Sequence, residues 1–382
     1  MPEEGSVCPV TVSWDHRFLL YEFGLGHPFT ERSRRLAVTL LVEAGFFSND
    51  AVPRVLEDDC PLASPEQLER FHTPEYLTEL RAISDSGERK FLDAGDTPSF
   101  PGCYEAAARI AGATIRATER ALAHPRAHAL QPSGGLHHAR PGAASGFCIL
   151  NDVACAISGA LASGVKQVAY VDVDVHHGDG VMYGFYGDGR VLDLDVHQDP
   201  RTLWPGTGEV TETGSGDGAG LKVNVPLAPG AGDAELLRTI EALFLPRLRA
   251  FRPRLIVLQT GVDGCAGDPL AGLRYSVAGY RVAVNQIHAV AHEVGAALVE
   301  TGGGGYVPGN VSRALAGAAA ELAGGHWIHS ADGRLPERWR EEFRGITGES
   351  APTHWLDTPR PEVPVRADPR TERLIAQLVK DR

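Results

Sequence analysis

The sequence predicts an α/β fold built around a parallel sheet. Short apolar runs rich in β-branched residues recur along the chain, and segments with apolar residues at three- and four-residue spacing lie between them. Strands that alternate with amphipathic helices in this way are typical of parallel sheets. The length of 382 residues allows two or three domains of ordinary size, or one large α/β domain.

Each predicted strand is a short apolar run, and each predicted helix carries an apolar face. The strands are predicted at Val10–Trp14, Ala127–Gln131, Gln167–Asp172, Val191–Val196, Leu255–Thr260 and Ala297–Thr301. The helices between them are predicted at Tyr104–Ala123, Asp152–Ala162, Asp233–Ala250, Val277–Val294 and Val311–Leu322. The chain is therefore expected to form one continuous α/β unit over most of its length.

The composition of the sequence changes near residue 325. No internal repeat and no linker interrupts the chain before that point, so residues 1–325 are predicted to be one domain. Residues 326–382 read as an irregular C-terminal arm that packs on the same domain and ends in a short amphipathic helix at Thr371–Lys380. Prolines that break any longer helix in the arm stand at positions Pro352, Pro359, Pro361, Pro364 and Pro369.

Composition excludes several classes of function. The formal charge is −13, which argues against direct nucleic-acid binding and suits cationic partners, because phosphate binding needs a clustered basic surface. No apolar run reaches the roughly 18 residues of a membrane span, and the N-terminus lacks the features of a signal peptide, so a cytoplasmic protein without membrane contact is expected. The six dispersed cysteines predict reduced thiols rather than disulfides or a zinc knuckle.

Polar side chains are concentrated where the predicted strand Gln167–Asp172 ends. Asp172, Asp174 and His176 alternate along the chain, so they project from one face. Ligands bind at the carboxyl ends of strands in open α/β sheets, and an Asp-x-His pair offers an oxygen and a nitrogen ligand suited to zinc or ferrous iron. Taken alone, such a pair is more often a helix-capping aspartate beside a surface histidine.

Two adjacent histidines follow another predicted strand. His137 and His138 stand in a glycine-rich segment, and histidine is the side chain best suited to proton transfer near neutral pH. Each needs a carboxylate on its far nitrogen to fix its orientation, and Asp172 and Asp179 are the candidates. The alternative is one buried structural histidine beside an exposed neighbour.

Two further segments complete the candidate site. Asp263 follows the strand Leu255–Thr260 and can complete a metal site of two aspartates and one histidine, although an ordinary Asp-Gly turn is the alternative. The glycine run before Tyr306 brings backbone close to a cavity and supplies one phenol. A phosphate-binding loop is disfavoured there because the run lacks the lysine and the glycine spacing of such loops.

Other histidines and cysteines are predicted to be structural. His288 and His292 are four residues apart on a predicted helix, which is compatible with metal binding, but the segment lacks the glutamate of the HExxH and HxxEH motifs. They are interpreted as ordinary helix residues. Cys148 is interpreted as a buried free cysteine.

Taken together, the motifs resemble the histone deacetylase family. They are GGLHHARPGAASGFCILND, VDVDVHHGDGV, WPGTG, GDPL and GGGGY, which appear in the order of that family from the first strand to about residue 325. The GHPF segment and the tryptophan-containing tail are most similar to bacterial acetoin-utilization deacetylases. The resemblance implies the arginase/deacetylase fold, a single three-layer αβα domain with a mostly parallel central sheet.

The resemblance also implies roles for individual residues. The implied metal ligands are Asp174, His176 and Asp263, and the implied catalytic residues are His137, His138, Asp172, Asp179 and Tyr306, with His138 as general base and acid. The implied substrate-binding residues are Asp96, Gly146, Phe147, Trp204 and Leu270. The implied monovalent-cation site consists of Asp172, Asp174, His176, Asp195 and Val196.

Two positions depart from the family pattern. Asp195 stands where the family usually has a serine of an inner potassium site, which puts the composition of that site in doubt. The family also has an arginine a few residues after the HP pair near the start of the domain. Arg32 and Arg34 bracket that position, which by spacing is Ser33, so no arginine is assigned.

The function implied is metal-dependent removal of acetyl groups from N-acetyl-lysine in proteins, with Zn²⁺ or Fe²⁺ at the reaction centre and structural K⁺ nearby. Acetylpolyamines or other small acetylated amines are the alternative substrates. A non-catalytic acyl-lysine binding protein is disfavoured because it would not need the proton-transfer residues. An arginase-type ureohydrolase is disfavoured because its two-metal site needs further Asp and His ligands.

Overall fold

A single parallel sheet forms the centre of the molecule. The computed structural model describes residues 8–24, 26–48, 53–124, 126–324, 333–357 and 366–380. The strands β1 to β8 are Val10–Ser13, Arg54–Glu57, His128–Gln131, Val168–Asp172, Val191–Gln198, Lys222–Leu227, Leu255–Gln259 and Ala297–Thr301. They lie in the order β2-β1-β3-β8-β7-β4-β5-β6, and every neighbouring pair is parallel.

All six predicted strands are confirmed, and two further strands were not predicted. The missed strands, β2 and β6, are the two edges of the sheet. Strand β2 has only two apolar residues, flanked by Arg54 and Glu57, and β6 contains Lys222, Asn224 and Pro226, the last of which a sheet tolerates at its edge. Neither sequence therefore forms the continuous apolar run that reveals the central strands, although β6 is as fully buried as they are.

Helices connect the strands and cover both faces of the sheet. Helices α1 to α12 are Arg32–Glu43, Pro65–Leu68, Pro74–Ser86, Cys103–Ala123, Asp152–Ala162, Asp179–Gly184, Asp233–Thr239, Leu245–Phe251, Val277–Val294, Pro308–Leu322, Glu337–Thr347 and Pro369–Lys380. The prediction of one continuous helix at Asp233–Ala250 is wrong, because a π-helical segment at Ile240–Phe244 separates α7 from α8. The spacing of apolar residues does not distinguish a short π-helical segment from a regular α-helix.

The side chains of strand β4 show the three-layer arrangement. Val168 and Tyr170 point into a hydrophobic cluster with Val153 and Ile157 of α5. Ala169 and Val171 belong to the larger cluster on the opposite face. Because successive side chains of a strand alternate between faces, β4 is buried on both sides, between two helix layers.

The carboxyl ends of four adjacent strands lie at one level of the sheet. The last residues of β3, β8, β7 and β4 are Gln131, Thr301, Gln259 and Asp172, and each is in register with the next. The four segments that the sequence singled out follow these four strands directly. The topology therefore brings segments separated by up to about 170 residues to one edge of the sheet.

The described part of the C-terminal arm contacts the rest of the chain. The indole N–H of Trp339 in α11 donates a hydrogen bond to the carbonyl of Leu36 in α1 at 2.8 Å. Glu372 in α12 pairs with Arg238 at 3.0 Å. Residues 325–332, where the domain boundary was predicted, lie outside the described residues, so the division into domain and arm stays a prediction. Among the described helices, none is long and apolar enough to cross a membrane.

Candidate metal and catalytic site

Three ligand atoms converge at the carboxyl ends of β4 and β7. Nδ1 of His176 lies 3.0 Å from Oδ2 of Asp263 and 3.3 Å from Oδ1 of Asp174. Both aspartates are fully buried. Burying two carboxylates this close together is unfavourable unless a positive charge balances them. Two carboxylate oxygens and one imidazole nitrogen fit a divalent cation of the zinc class and leave coordination positions for water and substrate.

Backbone and side-chain donors hold the two aspartates in place. Oδ2 of Asp174 accepts hydrogen bonds from the side-chain amide of Gln259 and from the backbone N–H of Gly304, both at 2.9 Å. Oδ1 of Asp263 accepts from the backbone N–H of Val175 at 3.0 Å. Each carboxylate therefore keeps a fixed orientation, with its other oxygen directed to the shared centre. Donors of this kind fix the ligands of metal sites.

The two adjacent histidines each pair with a buried carboxylate, as the sequence predicts. Nδ1 of His137 lies 2.7 Å from Oδ2 of Asp172, and Nδ1 of His138 lies 2.8 Å from Oδ1 of Asp179. The two Nε2 atoms face each other at 2.9 Å. A carboxylate on Nδ1 fixes the tautomer and the ring orientation, so Nε2 of each histidine is left for proton transfer.

The surroundings of His137 and His138 shift the pKa values of the two side chains in opposite directions. Burial lowers the pKa of His137, but the Asp172 and Asp174 carboxylates outweigh it and raise that pKa to about 9. Burial and the neighbouring His137 lower the pKa of His138 to about 4, against the opposing effect of Asp179. Near neutral pH His137 therefore carries the proton that the pair shares, and Nε2 of His138 carries a lone pair.

The start of α5 positions the loop that carries both histidines. Asn151 caps α5 and donates from its side-chain amide to the carbonyls of His137 and Ala139, at 3.0 and 2.9 Å. Asp152 accepts from the backbone N–H groups of Gly135 and Leu136. The sequence reasoning quoted these two residues within a motif but gave them no role. Their type was a usable signal, because Asn and Asp are preferred at helix starts.

All five predicted substrate-binding residues line one cavity, here called the aromatic cavity. Its volume is about 200 Å³. Its lining comprises Asp96, His138, Gly146, Phe147, His176, Leu203, Trp204, Leu270 and Tyr306. The cavity therefore runs from Asp96, Trp204 and Leu270 to the candidate metal ligand His176 and the phenol of Tyr306. His137 does not line it.

Two aromatic side chains contact His138 and Tyr306 inside this cavity. The Trp204 ring meets the His138 ring edge-on with centroids 4.6 Å apart, and the Phe147 ring meets the Tyr306 ring edge-on at 6.0 Å. Trp204 is 43% exposed, so it stands at the open end. Gly146 allows this packing, because a Cβ at Gly146 would lie 2.3 Å from the Trp204 ring and the residue has φ +54°.

Arg34 is a functional candidate to which sequence reasoning assigned no role. It is buried in the first turns of α1, and its guanidinium donates to the carbonyls of Thr30 and Gly303 and lies over the Phe29 ring. The spacing from the HP pair pointed to Ser33, whereas the residue that contacts the glycine run is Arg34, one position later. Arg34 thus fixes the glycine run that precedes Tyr306.

Two more unassigned residues hold the site together. Gln259 ends β7 and contacts both Asp174 and the carbonyl of Gly135, at 2.9 and 3.2 Å. Asp268 accepts the backbone N–H of Tyr306 at 2.9 Å. A polar residue at the end of an apolar strand was the available signal for Gln259.

Asp195 lies beside Asp172 on the neighbouring strand, where the two residues are in register. Its Oδ1 lies 2.6 Å from Nδ1 of His197, and its Oδ2 accepts the backbone N–H of Gly178 at 2.8 Å. Burial and the nearby Asp172 raise the pKa of Asp195 well above its ordinary value. The residue that replaces the family serine therefore adds a second buried carboxyl to this region.

Comparison with known proteins identifies a histone deacetylase domain at residues 27–322. The chain is 33% identical over 372 residues to acetoin utilization protein AcuC of Bacillus subtilis (strain 168), covering 94% of this chain and 92% of that protein. It is 34% identical over 300 residues to histone deacetylase RPD3 of Saccharomyces cerevisiae, covering 77% of this chain and 67% of that protein.

A solved structure shares the fold. The crystal structure of the HDA15 HD domain matches with a TM-score of 0.77 at 24% identity, covering 97% of this chain and 95% of that chain. A likeness at that identity shows the three-layer fold alone. The matched domain spans most of the sequence and contains every candidate site residue. The chain belongs to the histone deacetylase family.

Proposed function

We propose that the chain is a metal-dependent hydrolase that removes acetyl groups from N-acetyl-lysine side chains of proteins. One observation carries the proposal: the ligand atoms of Asp174, His176 and Asp263 converge at the cavity lined by His138 and Tyr306. Metal ligands, a proton acceptor and a phenol are together what amide hydrolysis needs. The names of the relatives, which include a probable deacetylase of Archaeoglobus fulgidus, support the same reaction.

Zinc or ferrous iron is the proposed cofactor. Asp174, His176 and Asp263 would hold the ion, since their oxygen and nitrogen donors suit both metals. When bound, such an ion lowers the pKa of a water ligand to about 7 and polarises a carbonyl oxygen. The two buried carboxylates supply the negative charge that such an ion would balance.

The side chains around this centre divide the proton transfers between them. Nε2 of His138 accepts the proton of the attacking water, and Asp179 on its other nitrogen stabilises the imidazolium that forms. The hydroxyl of Tyr306 donates to the substrate carbonyl oxygen as negative charge develops there. His138 then returns the proton to the departing amine, while His137 and Asp172 hold the ring of His138 in place.

The aromatic cavity fits the acyl-lysine substrate that we propose. Its walls, Phe147 and Trp204, are apolar and suit the methylene stem of lysine. Asp96 at the rim is exposed and can accept N–H groups of a peptide backbone. The net charge of −13 attracts the lysine-rich segments of protein substrates more strongly than neutral ones, and salt weakens this attraction.

Acetate release tests the proposal. The protein is stripped of metal, reconstituted separately with Zn²⁺ and Fe²⁺, and assayed on acetyl-lysine peptides, an acetylated bacterial enzyme and acetylpolyamines. We expect the highest kcat/KM on the peptides and the acetylated enzyme. Preference for acetylpolyamines would favour the small-amine alternative, and no turnover on any substrate with metal bound would reject the enzyme.

We further propose that a monovalent cation binds near Asp172 and Asp195, held with backbone carbonyls of Asp174, His176 and Val196. The two carboxyls are buried on adjacent strands, and a cation beside them would favour their ionised forms. The protein is expected to have a higher Tm in KCl than in an equal concentration of tetramethylammonium chloride. Equal Tm values in the two salts would contradict a potassium site.

Replacing Arg34 is expected to impair catalysis, because its guanidinium anchors the carbonyl of Gly303 in the run before Tyr306. Arg34→Ala should lower kcat/KM by about 10- to 100-fold, as is typical for residues that orient a metal site. Arg32→Ala is the matched control, since Arg32 lies on the same turn but is exposed. Equal kcat/KM for both variants, measured below their Tm, would contradict this role.

Adding a methyl group to Gly146 is expected to obstruct the aromatic cavity. In Gly146→Ala the new Cβ would overlap the Trp204 ring and approach the His138 ring. A displacement of about 1 Å at the reacting groups costs about 10²-fold in rate. Gly142→Ala is the control, because its Cβ meets only Thr73, at 3.8 Å. If kcat/KM falls equally little in both variants, the packing of Trp204 does not matter for turnover.

A further inference from the structure

Four potential metal ligands meet at the end of the sheet opposite to the catalytic site. Cys8 lies just before β1, His128 is the first residue of β3, and His288 and His292 lie one turn apart on α9. These four residues, here called the Cys–His cluster, are buried except for His292, which is partly buried. Since β3 ends at Gln131 before the catalytic histidines, the strand separates the cluster from the reaction centre.

The donor atoms of the cluster converge on one point. The Nε2 atom of His128 lies 3.0 Å from that of His288 and 3.1 Å from that of His292, and the latter two are 2.8 Å apart. Sγ of Cys8 lies 3.2 Å from Nε2 of His292. All four atoms lie within 4.8 Å of one another. Three rings from two parts of the chain therefore turn the same nitrogen inwards.

Hydrogen bonds alone cannot satisfy these three nitrogens. Each Nε2 has one outward position, which holds either a proton or a lone pair. With three nitrogens and two states, at least two of them are in the same state. Two lone pairs or two N–H groups then face each other at about 3 Å in a buried site, which is unfavourable. A cation at the centre removes the conflict, because all three lone pairs can bind it.

The protonation of the cluster also suits a cation. Burial lowers the pKa of His128 to about 2 and that of His288 to about 3, and the neighbouring rings add to the effect. The imidazoles are therefore neutral, which is the form that binds metal. Nitrogens bound to one tetrahedral zinc ion lie about 3.4 Å apart, so the three Nε2 atoms need to separate by only a few tenths of an ångström to bind it.

We propose that Cys8, His128, His288 and His292 form a second metal site, occupied by Zn²⁺. Three imidazole nitrogens and one thiolate make up a closed tetrahedral set of protein ligands, which is typical of structural rather than catalytic zinc. The ion joins the segment before β1, the start of β3 and helix α9. It therefore fastens three parts of the fold that are far apart in sequence, and it takes no part in hydrolysis.

Metal content and cobalt absorption test this site. Wild-type protein, Cys8→Ser and His292→Ala are compared with Cys155→Ser, a control that removes a buried cysteine outside the cluster. Metal is measured by mass spectrometry after purification in zinc. Each protein is then loaded with Co²⁺, whose thiolate complexes show a charge-transfer band in the near ultraviolet. The catalytic ligands contain no sulfur, so only the Cys–His cluster gives this band.

We expect about two zinc ions per wild-type or Cys155→Ser chain and about one per Cys8→Ser or His292→Ala chain. The cobalt band should appear in wild-type and Cys155→Ser protein and also in Asp263→Ala, where the catalytic site is disabled. It should be absent from Cys8→Ser. A wild-type protein that holds about one ion and shows no thiolate band would overturn the proposal, and this result does not depend on the folding of any variant.

Discussion

His138→Ala is expected to lower kcat by about 10²- to 10⁴-fold, the usual contribution of a general acid–base residue. The variant loses the imidazole that lines the aromatic cavity, whereas the candidate metal ligands and their hydrogen bonds remain. The measurement is acetate release at saturating peptide, with bound metal determined on the same sample. Metal content should stay at the wild-type level, because His138 is not a ligand.

A surface histidine provides the control for this variant. His16→Ala removes a side chain that is 85% exposed and should leave kcat unchanged. If His138→Ala keeps kcat within a few-fold of wild type while binding the same metal, another group must accept the proton. His137 would then be the next candidate, since it lies 2.9 Å from His138.

Tyr306→Phe is expected to lower kcat by about 10²- to 10³-fold, which is the usual effect of removing one donor to a developing oxyanion. The ring remains, so the contact with Phe147 and the backbone bond to Asp268 are kept. The measurement combines kcat, KM and Tm. We expect kcat to fall while Tm changes by no more than a few degrees.

KM distinguishes this role from a role in binding alone. A donor that acts mainly as charge develops lowers kcat and kcat/KM together. If Tyr306→Phe raises KM and leaves kcat intact, the phenol only binds substrate. Full activity would remove Tyr306 from the mechanism.

The central strands were predictable from sequence because burial on both faces leaves a nearly continuous apolar run. All six predicted strands are present, with ends within two residues. The edge strands β2 and β6 were not predictable in the same way, since polar residues and a proline flank or interrupt their apolar residues. Strand order was not predictable from the residues at all, because it depends on how the helical connections cross.

The central residues of the candidate site were predictable, but the residues that hold them in place were not. Motif order identified Asp174, His176 and Asp263 through their resemblance to a family, and the structure brings these residues together. Arg34 was missed because one residue of spacing decides which side of α1 faces the glycine run. The Cys–His cluster was not recognised in the sequence, because its members lie far apart, between positions 8 and 292.

Stepwise addition of Zn²⁺ to metal-free protein tests the central claim most directly. Acetate release from an acetyl-lysine peptide is followed as the bound metal is measured, in wild-type protein and in Asp263→Ala. Metal-dependent hydrolysis at Asp174, His176 and Asp263 predicts that wild-type activity rises with bound zinc and that Asp263→Ala stays inactive at every zinc level. Wild-type turnover without bound metal, or full activity in Asp263→Ala, would contradict it.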